Sequence, residues 1–193
     1  MITGRGRDSV WDFIPLRTAA RTRKFTEFPH LNLAIKASEV NASLMIPNGM
    51  RPSIRKNLVG LGWPGFRKLC LKVEGGLRPV IRMAGKASPI VAAYQRHFPS
   101  RTSPSVLDAR IQADLRTLVE GESKNGRRDG VKHQPQWIEA AYSAYANRRS
   151  NIEMAFGVSF PYDGCPALRQ RRESLDLIAG AWLACKPLLE VLV

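Results

Sequence analysis

Lys68–Arg82 reads KLCLKVEGGLRPVIR, and the secondary structure assigned to these fifteen residues decides the fold. As a strand, Leu69, Leu71 and Val73 alternate with Lys68, Cys70 and Lys72. Beyond Glu74-Gly75-Gly76, Leu77, Pro79 and Ile81 alternate with Arg78, Val80 and Arg82. A three-residue loop with Gly76 left-handed sets Val73 opposite Leu77, Leu71 opposite Pro79 and Leu69 opposite Ile81, collecting the apolar side chains on one face. The expectation is a two-stranded basic ribbon, with Pro79 on an edge. In this register Lys72 faces Arg78 and Lys68 faces Arg82, and like charges so placed destabilise a ribbon by roughly 0.2–1 kcal/mol per pair. Phosphates would relieve that repulsion. The same letters hold a helical alternative, with Pro64 at a first helical position, Phe66, Leu69, Cys70 and Val73 on one face, and Gly75 as the cap.

The charge outside this stretch sharpens the reading. The chain has 193 residues and a formal net charge of +14. Residues 1–50 carry 7 basic and 4 acidic groups, residues 51–86 carry 9 and 1, and residues 87–193 carry 14 and 11. More than half of the excess therefore sits in Arg51, Arg55, Lys56, Arg67, Lys68, Lys72, Arg78, Arg82 and Lys86, the clustering that phosphate binding requires. Arginine outnumbers lysine, which suits bidentate contacts to phosphate oxygens, although a GC-rich coding frame inflates arginine as well.

From Leu31 the pattern has period two: Leu31, Leu33 and Ile35, then across Ala37-Ser38-Glu39 the set Val40, Ala42, Leu44 and Ile46, closing at Pro47-Asn48-Gly49. This is a hairpin. Residues 1–28 show neither period and read as a basic, partly ordered arm, residues 29–86 as a basic hairpin module, and residues 87–193 as a helical region packed on it in one body. In that region helices are expected from Ser88-Pro89 to His97, from Ser103-Pro104 to Gly121, and from Gln136 to Phe156 with Tyr142 and Tyr145 inward and Gly157 as cap. A polar loop, residues 121–135, separates the second from the third. The final helix should place Leu175, Ile178, Trp182, Cys185, Leu189 and Leu192 in one stripe and bend at Pro187; the stripe reads as core, with a homodimer through Leu175, Ile178, Trp182 and Leu189 as the alternative. The arginines Arg169, Arg171 and Arg172 stand at the end of that helix where the dipole is unfavourable to them. The expected class is α+β, with a small N-terminal antiparallel sheet of two hairpins and about four C-terminal helices.

Chemistry-bearing motifs are sparse. GLGWPG at 60–65 lacks the lysine and hydroxyl of a phosphate-binding loop. Cys70, Cys165 and Cys185 are odd in number and far apart, which indicates neither a disulfide framework nor a zinc site and suits a reducing, cytoplasmic setting, with nuclear and organellar compartments left open. His30, His97 and His133 have no ligand spacing, so no metal or cofactor is expected, and no catalytic set stands out. For phosphodiester cleavage the pair to examine is His97 with Asp108, beside Arg96 and Arg101. The longest apolar run, Leu177–Cys185, is too short to span a bilayer. The sequence thus ranks DNA or RNA backbone binding first, with little base readout. An interaction protein assembled through the final helix comes second, and a phosphate-processing enzyme third.

Overall fold

The computed structural model describes residues 9–15, 27–47, 49–95, 109–112, 127–128, 131–132, 139, 142–143 and 152–193. Its strands are β1 (Ser9–Pro15), β2 (His30–Lys36), β3 (Glu39–Ile46), β4 (Ser88–Gln95), β5 (Ala109–Gln112), the two-residue β6 (Arg127–Arg128) and β7 (Val131–Lys132), and β8 (Ile152–Pro161). The helices are α1 (Pro52–Gly60), α2 (Gly62–Ala84), α3 (Arg171–Ala184) and α4 (Lys186–Leu192), with a single 3-10 turn at Pro166–Arg169. The class is α+β.

The β2–β3 hairpin forms as the alternation requires. It closes over Ala37 and Ser38, with Ile35 opposite Val40 and Leu31 opposite Leu44. Ala42, Leu44 and Ile46 are fully buried and Val40 is buried. Ser9–Pro15, within the stretch that showed no period, pairs antiparallel with β2 and becomes the edge strand. All pairings in the main sheet are antiparallel, in the order β1-β2-β3-β8-β4-β5.

Lys68–Arg82 is not a ribbon. It lies inside α2, a helix of 23 residues that passes through Gly75-Gly76 and Pro79 and ends at Gly85. The helical alternative is the observed one, extended well beyond the cap it assigned to Gly75. Two interior glycines cost about 1 kcal/mol each and an interior proline about 3. Against this, the helix buries Phe66, Leu69, Val73, Leu77 and Val80, each contributing about 1.5–3 kcal/mol. A hairpin would leave Phe66, Cys70 and Val80 off the apolar face. Gly85 stops the helix in a backbone conformation that side chains rarely adopt, at φ 83°. Gly76 has a packing role, because a Cβ there would stand 3.0 Å from the Ala184 Cβ and 3.1 Å from its Cα, so α2 and α3 meet across a hydrogen atom.

Three further helix expectations are corrected. Ser88–Gln95 is β4, where Ile90, Val91 and Ala92 are all buried because helices cover one face and a second apolar cluster with Ala155 occupies the other. A strand buried on both faces loses its period and reads like a short helix. Pro89 is tolerated because β5 pairs only with Ala92–Gln95, leaving the proline on an edge. Ala109–Gln112, inside the second expected helix, is strand β5; the rest of that helix lies outside the described residues. Ile152–Phe156, the end of the third, belongs to β8, and Gly157 sits mid-strand, where a Cβ would collide with the Ala42 carbonyl. Glu139, Tyr142 and Ser143 are helical, and Tyr142 is buried as expected; Tyr145 lies outside the described residues. Within the expected polar loop, β6 and β7 pair.

β8 is the central strand. It sends Met154, Phe156, Val158 and Phe160 to the helix side, where they join Leu44, Phe66, Leu77, Leu188 and Leu192 in one core. The last helix breaks at Cys185, and Pro187 falls in the first turn of α4. The face it buries carries Leu177, Ala181, Ala184, Cys185, Leu188 and Leu192, so Cys185 and Leu192 of the expected stripe are buried, while Ile178, Trp182 and Leu189 are half-buried and Leu175 is 59% exposed. The helix does pack as core, but the expected stripe coincides only in part with the buried one.

Candidate nucleic-acid interface

At about 100° per residue, the buried side chains of α2 from Phe66 to Ala84 cluster on one half of the helix. Lys68, Lys72, Arg78 and Arg82 fall on the opposite half, within an arc of about 120°. All four are exposed. The helix therefore brings together the four cations that the ribbon register had placed on one face, by a different geometry. Lys68 and Lys72, and likewise Arg78 and Arg82, become neighbours four residues apart, which destabilises the helix by roughly 0.2–0.5 kcal/mol per pair. Over fourteen residues the stripe spans about 21 Å of helix, equal to about six steps of a duplex at 3.4 Å.

The acidic side chain of α2 is turned inward. Glu74 is buried at 8% exposure and accepts a hydrogen bond from Arg78 Nε at 2.5 Å. Among the exposed residues of α2 there are four cations and no carboxylate. Arg82 lies in the last turn, where a cation suits the helix dipole.

The remaining basic residues of the cluster are dispersed. Arg51 precedes α1, donates from Nε to Glu27 Oε2 at 3.1 Å, and holds its guanidinium 4.6 Å from the Phe28 ring centre. Arg55 and Lys56 follow on α1, whose buried side is Ile54 and Leu58. Arg67 is half-buried at the flank of α2. Lys86 stands beyond the helix end, its backbone N–H donating to the Gly164 carbonyl at 3.2 Å and its stem lying against Gly164. Tyr142 secures the α1–α2 corner: its hydroxyl donates to the Leu58 and Val59 carbonyls at 3.2 and 2.9 Å, and its ring stacks on Phe66 at 5.0 Å. Arg169, Arg171 and Arg172 are exposed around the start of α3, where Glu173 in the first turn offsets them.

Burial pushes the Cys70 and Cys185 thiols up to about 12, so neither is a thiolate nucleophile near neutral pH. His97, Asp108 and His133 lie outside the described residues. Among the described residues no group of three or more His, Cys, Asp or Glu side chains is placed to hold a metal ion, and no helix is long and apolar enough to cross a membrane.

Sequence reading missed Trp11 and Phe13, which β1 sets on one face of the sheet with ring centres 6.1 Å apart. Their i, i+2 spacing was the available signal, masked by Asp12 interrupting the apolar set Val10 and Ile14. No family model and no curated protein matches this chain.

Proposed function

We propose that the outer face of α2 binds the phosphate backbone of DNA or RNA, with Lys68, Lys72, Arg78 and Arg82 as the contacts. The observation that carries this reading is four exposed cations, with no exposed carboxylate, along about 21 Å of one packed helix. A phosphate row would relieve the two like-charged pairs. Backbone contacts of this kind position a protein without reading sequence. An electrophoretic shift assay across a salt series tests the proposal. Lys68→Glu with Lys72→Glu should weaken binding and flatten the dependence of log affinity on log salt by about two counterions, since each phosphate contact contributes about 0.9 to the slope on duplex DNA. Unchanged affinity and slope would remove α2 from the account.

Self-association is the second reading, favoured by exposed apolar surface on the helix side of the sheet. Leu175 is 59% exposed, and it shares a helical face with the half-buried Ile178 and Trp182. Val10, Ile14 and Ile35 are exposed on the β1–β2 edge of the same layer, and Trp182 Nε1 reaches the Asn32 carbonyl on β2 at 3.4 Å. Sedimentation equilibrium of the wild type and Leu175→Glu decides it: a dimer that becomes a folded monomer in the variant supports this reading, and a wild-type monomer at all concentrations removes it.

A further inference from the structure

The basic face of α2 has a bare patch at its centre. Gly75 is the midpoint of the stretch from Lys68 to Arg82, and at about 100° per residue it also falls in the middle of the arc that Lys68, Lys72, Arg78 and Arg82 occupy. It is exposed, and a Cβ built there would meet nothing within 4 Å. Pro79, one turn further on, is exposed as well. Proline has no N–H, so the helical bond that residue 79 would donate to the Gly75 carbonyl does not exist. The four cations therefore surround a backbone oxygen that lacks its helical donor, on an exposed part of the helix.

That arrangement discriminates among ligands. Lys68 with Lys72 and Arg78 with Arg82 form two cationic pairs whose centres are about 15 Å apart along the helix, with the acceptor between them. Ionised phosphates satisfy the cations but have no proton to give a carbonyl. A ligand that meets all five groups carries a neutral donor beside its phosphates. Ribose does so through its 2′-hydroxyl, whereas deoxyribose has no donor there. Double-stranded RNA displays these hydroxyls across a wide, shallow minor groove flanked by its phosphates. Donors on DNA base edges lie at the floor of a major groove about 8.5 Å deep, out of reach of a backbone oxygen flanked by long side chains. No exposed residue of α2 is aromatic, so the helix offers no ring on which the bases of a single strand could stack.

We propose that the nucleic acid taken by α2 is double-stranded RNA, held across its minor groove, with the Gly75 carbonyl accepting a ribose 2′-hydroxyl between the two cationic pairs. The assignment rests on the phosphate-binding reading of this face and deepens it. The experiment measures fluorescence anisotropy of labelled duplex RNA, the same duplex with 2′-O-methyl riboses, duplex DNA and single-stranded RNA. Each is titrated across a salt series with the wild type, Pro79→Ala, and Lys68→Glu with Lys72→Glu. Methylation keeps the A-form shape and the phosphates and removes the donor. The wild type should bind duplex RNA about threefold to tenfold more tightly than the methylated duplex, the worth of one hydrogen bond, with equal salt slopes. Pro79→Ala returns an N–H to the Gly75 oxygen, so it should melt above the wild type and bind the two RNA duplexes alike. A Pro79→Ala variant that is not stabilised, or that keeps the preference, would overturn the proposal. Duplex DNA or single-stranded RNA bound as tightly as duplex RNA would do the same. Equal wild-type binding to the plain and methylated duplexes, with a salt slope still flattened by the lysine variant, overturns the RNA assignment and leaves the phosphate reading standing. A wild type that binds none of the four removes both.

Discussion

Gly75 and Gly76 differ by one position and occupy opposite environments. A Cβ at Gly75 meets nothing within 4 Å, whereas a Cβ at Gly76 meets Ala184. Gly75→Ala removes conformational freedom from the unfolded chain without a new contact, so stability should rise by about 0.5–1 kcal/mol. Gly76→Val gains a smaller helix preference, because valine is β-branched, and drives two methyl groups into α3, at a cost of about 1–3 kcal/mol. Thermal denaturation of the two variants should move in opposite directions, and parallel shifts would mean that α2 and α3 do not meet there. The pair is adjacent in sequence and reads as a turn, yet one glycine is tolerated and the other is required.

At the scale of elements, Glu39 ties three strands together. From the start of β3 it accepts from Ser159 of β8 at 2.5 Å, pairs with Lys36 of β2, and accepts from Asn41 of its own strand. Burial by itself would raise its carboxyl, but the hydrogen bonds from Lys36, Ser159 and Asn41, with the Lys36 charge, outweigh it and hold the group below its ordinary 4.5. A carboxyl lowered in the folded state contributes stability that is present above the unfolded value and lost as pH falls through the folded one. Glu39→Gln should therefore melt below wild type at pH 7, and the gap should narrow as pH drops below 4.5. A gap that is constant with pH would show that the charge on Glu39 is immaterial and only its hydrogen bonds count.

On the scale of the whole molecule, the sheet is closed by its last strand. β8 lies between β3 and β4, and its pairing of Ser159 with Asn41 joins residues more than a hundred positions apart. Without it, β3 and β4 each lose a complete ladder, and the apolar faces of α2 lose Phe156 and the final helices. A chain ending at residue 151 should not fold, giving no cooperative melting transition and rapid proteolysis between β3 and β4. A cooperative, protease-resistant fragment would mean that the N-terminal part is an independent unit. Such long-range pairing also predicts folding slower than that of a helical protein of the same length.

What the sequence by itself determined lies close together along the chain. The β2–β3 hairpin was legible because Leu31 to Ile46 alternate on either side of Ala37-Ser38-Glu39, and the final helix because its apolar residues recur every three or four positions. The concentration of positive charge between residues 51 and 86 was legible too, as composition needs no fold. Tertiary structure alone decided the rest. Lys68–Arg82 fits both periods, and the helix wins because it buries Phe66, Cys70 and Val80 together with Leu69, Val73 and Leu77 against α3, α4 and β8. Ile90–Ala92 and Met154–Val158 carry no period because both of their faces are covered, and the strands that reveal them as strands lie far away in the sequence. Whether the cations and aromatics form surfaces depended on those same distant partners, since a side chain's face is set by what its element packs against.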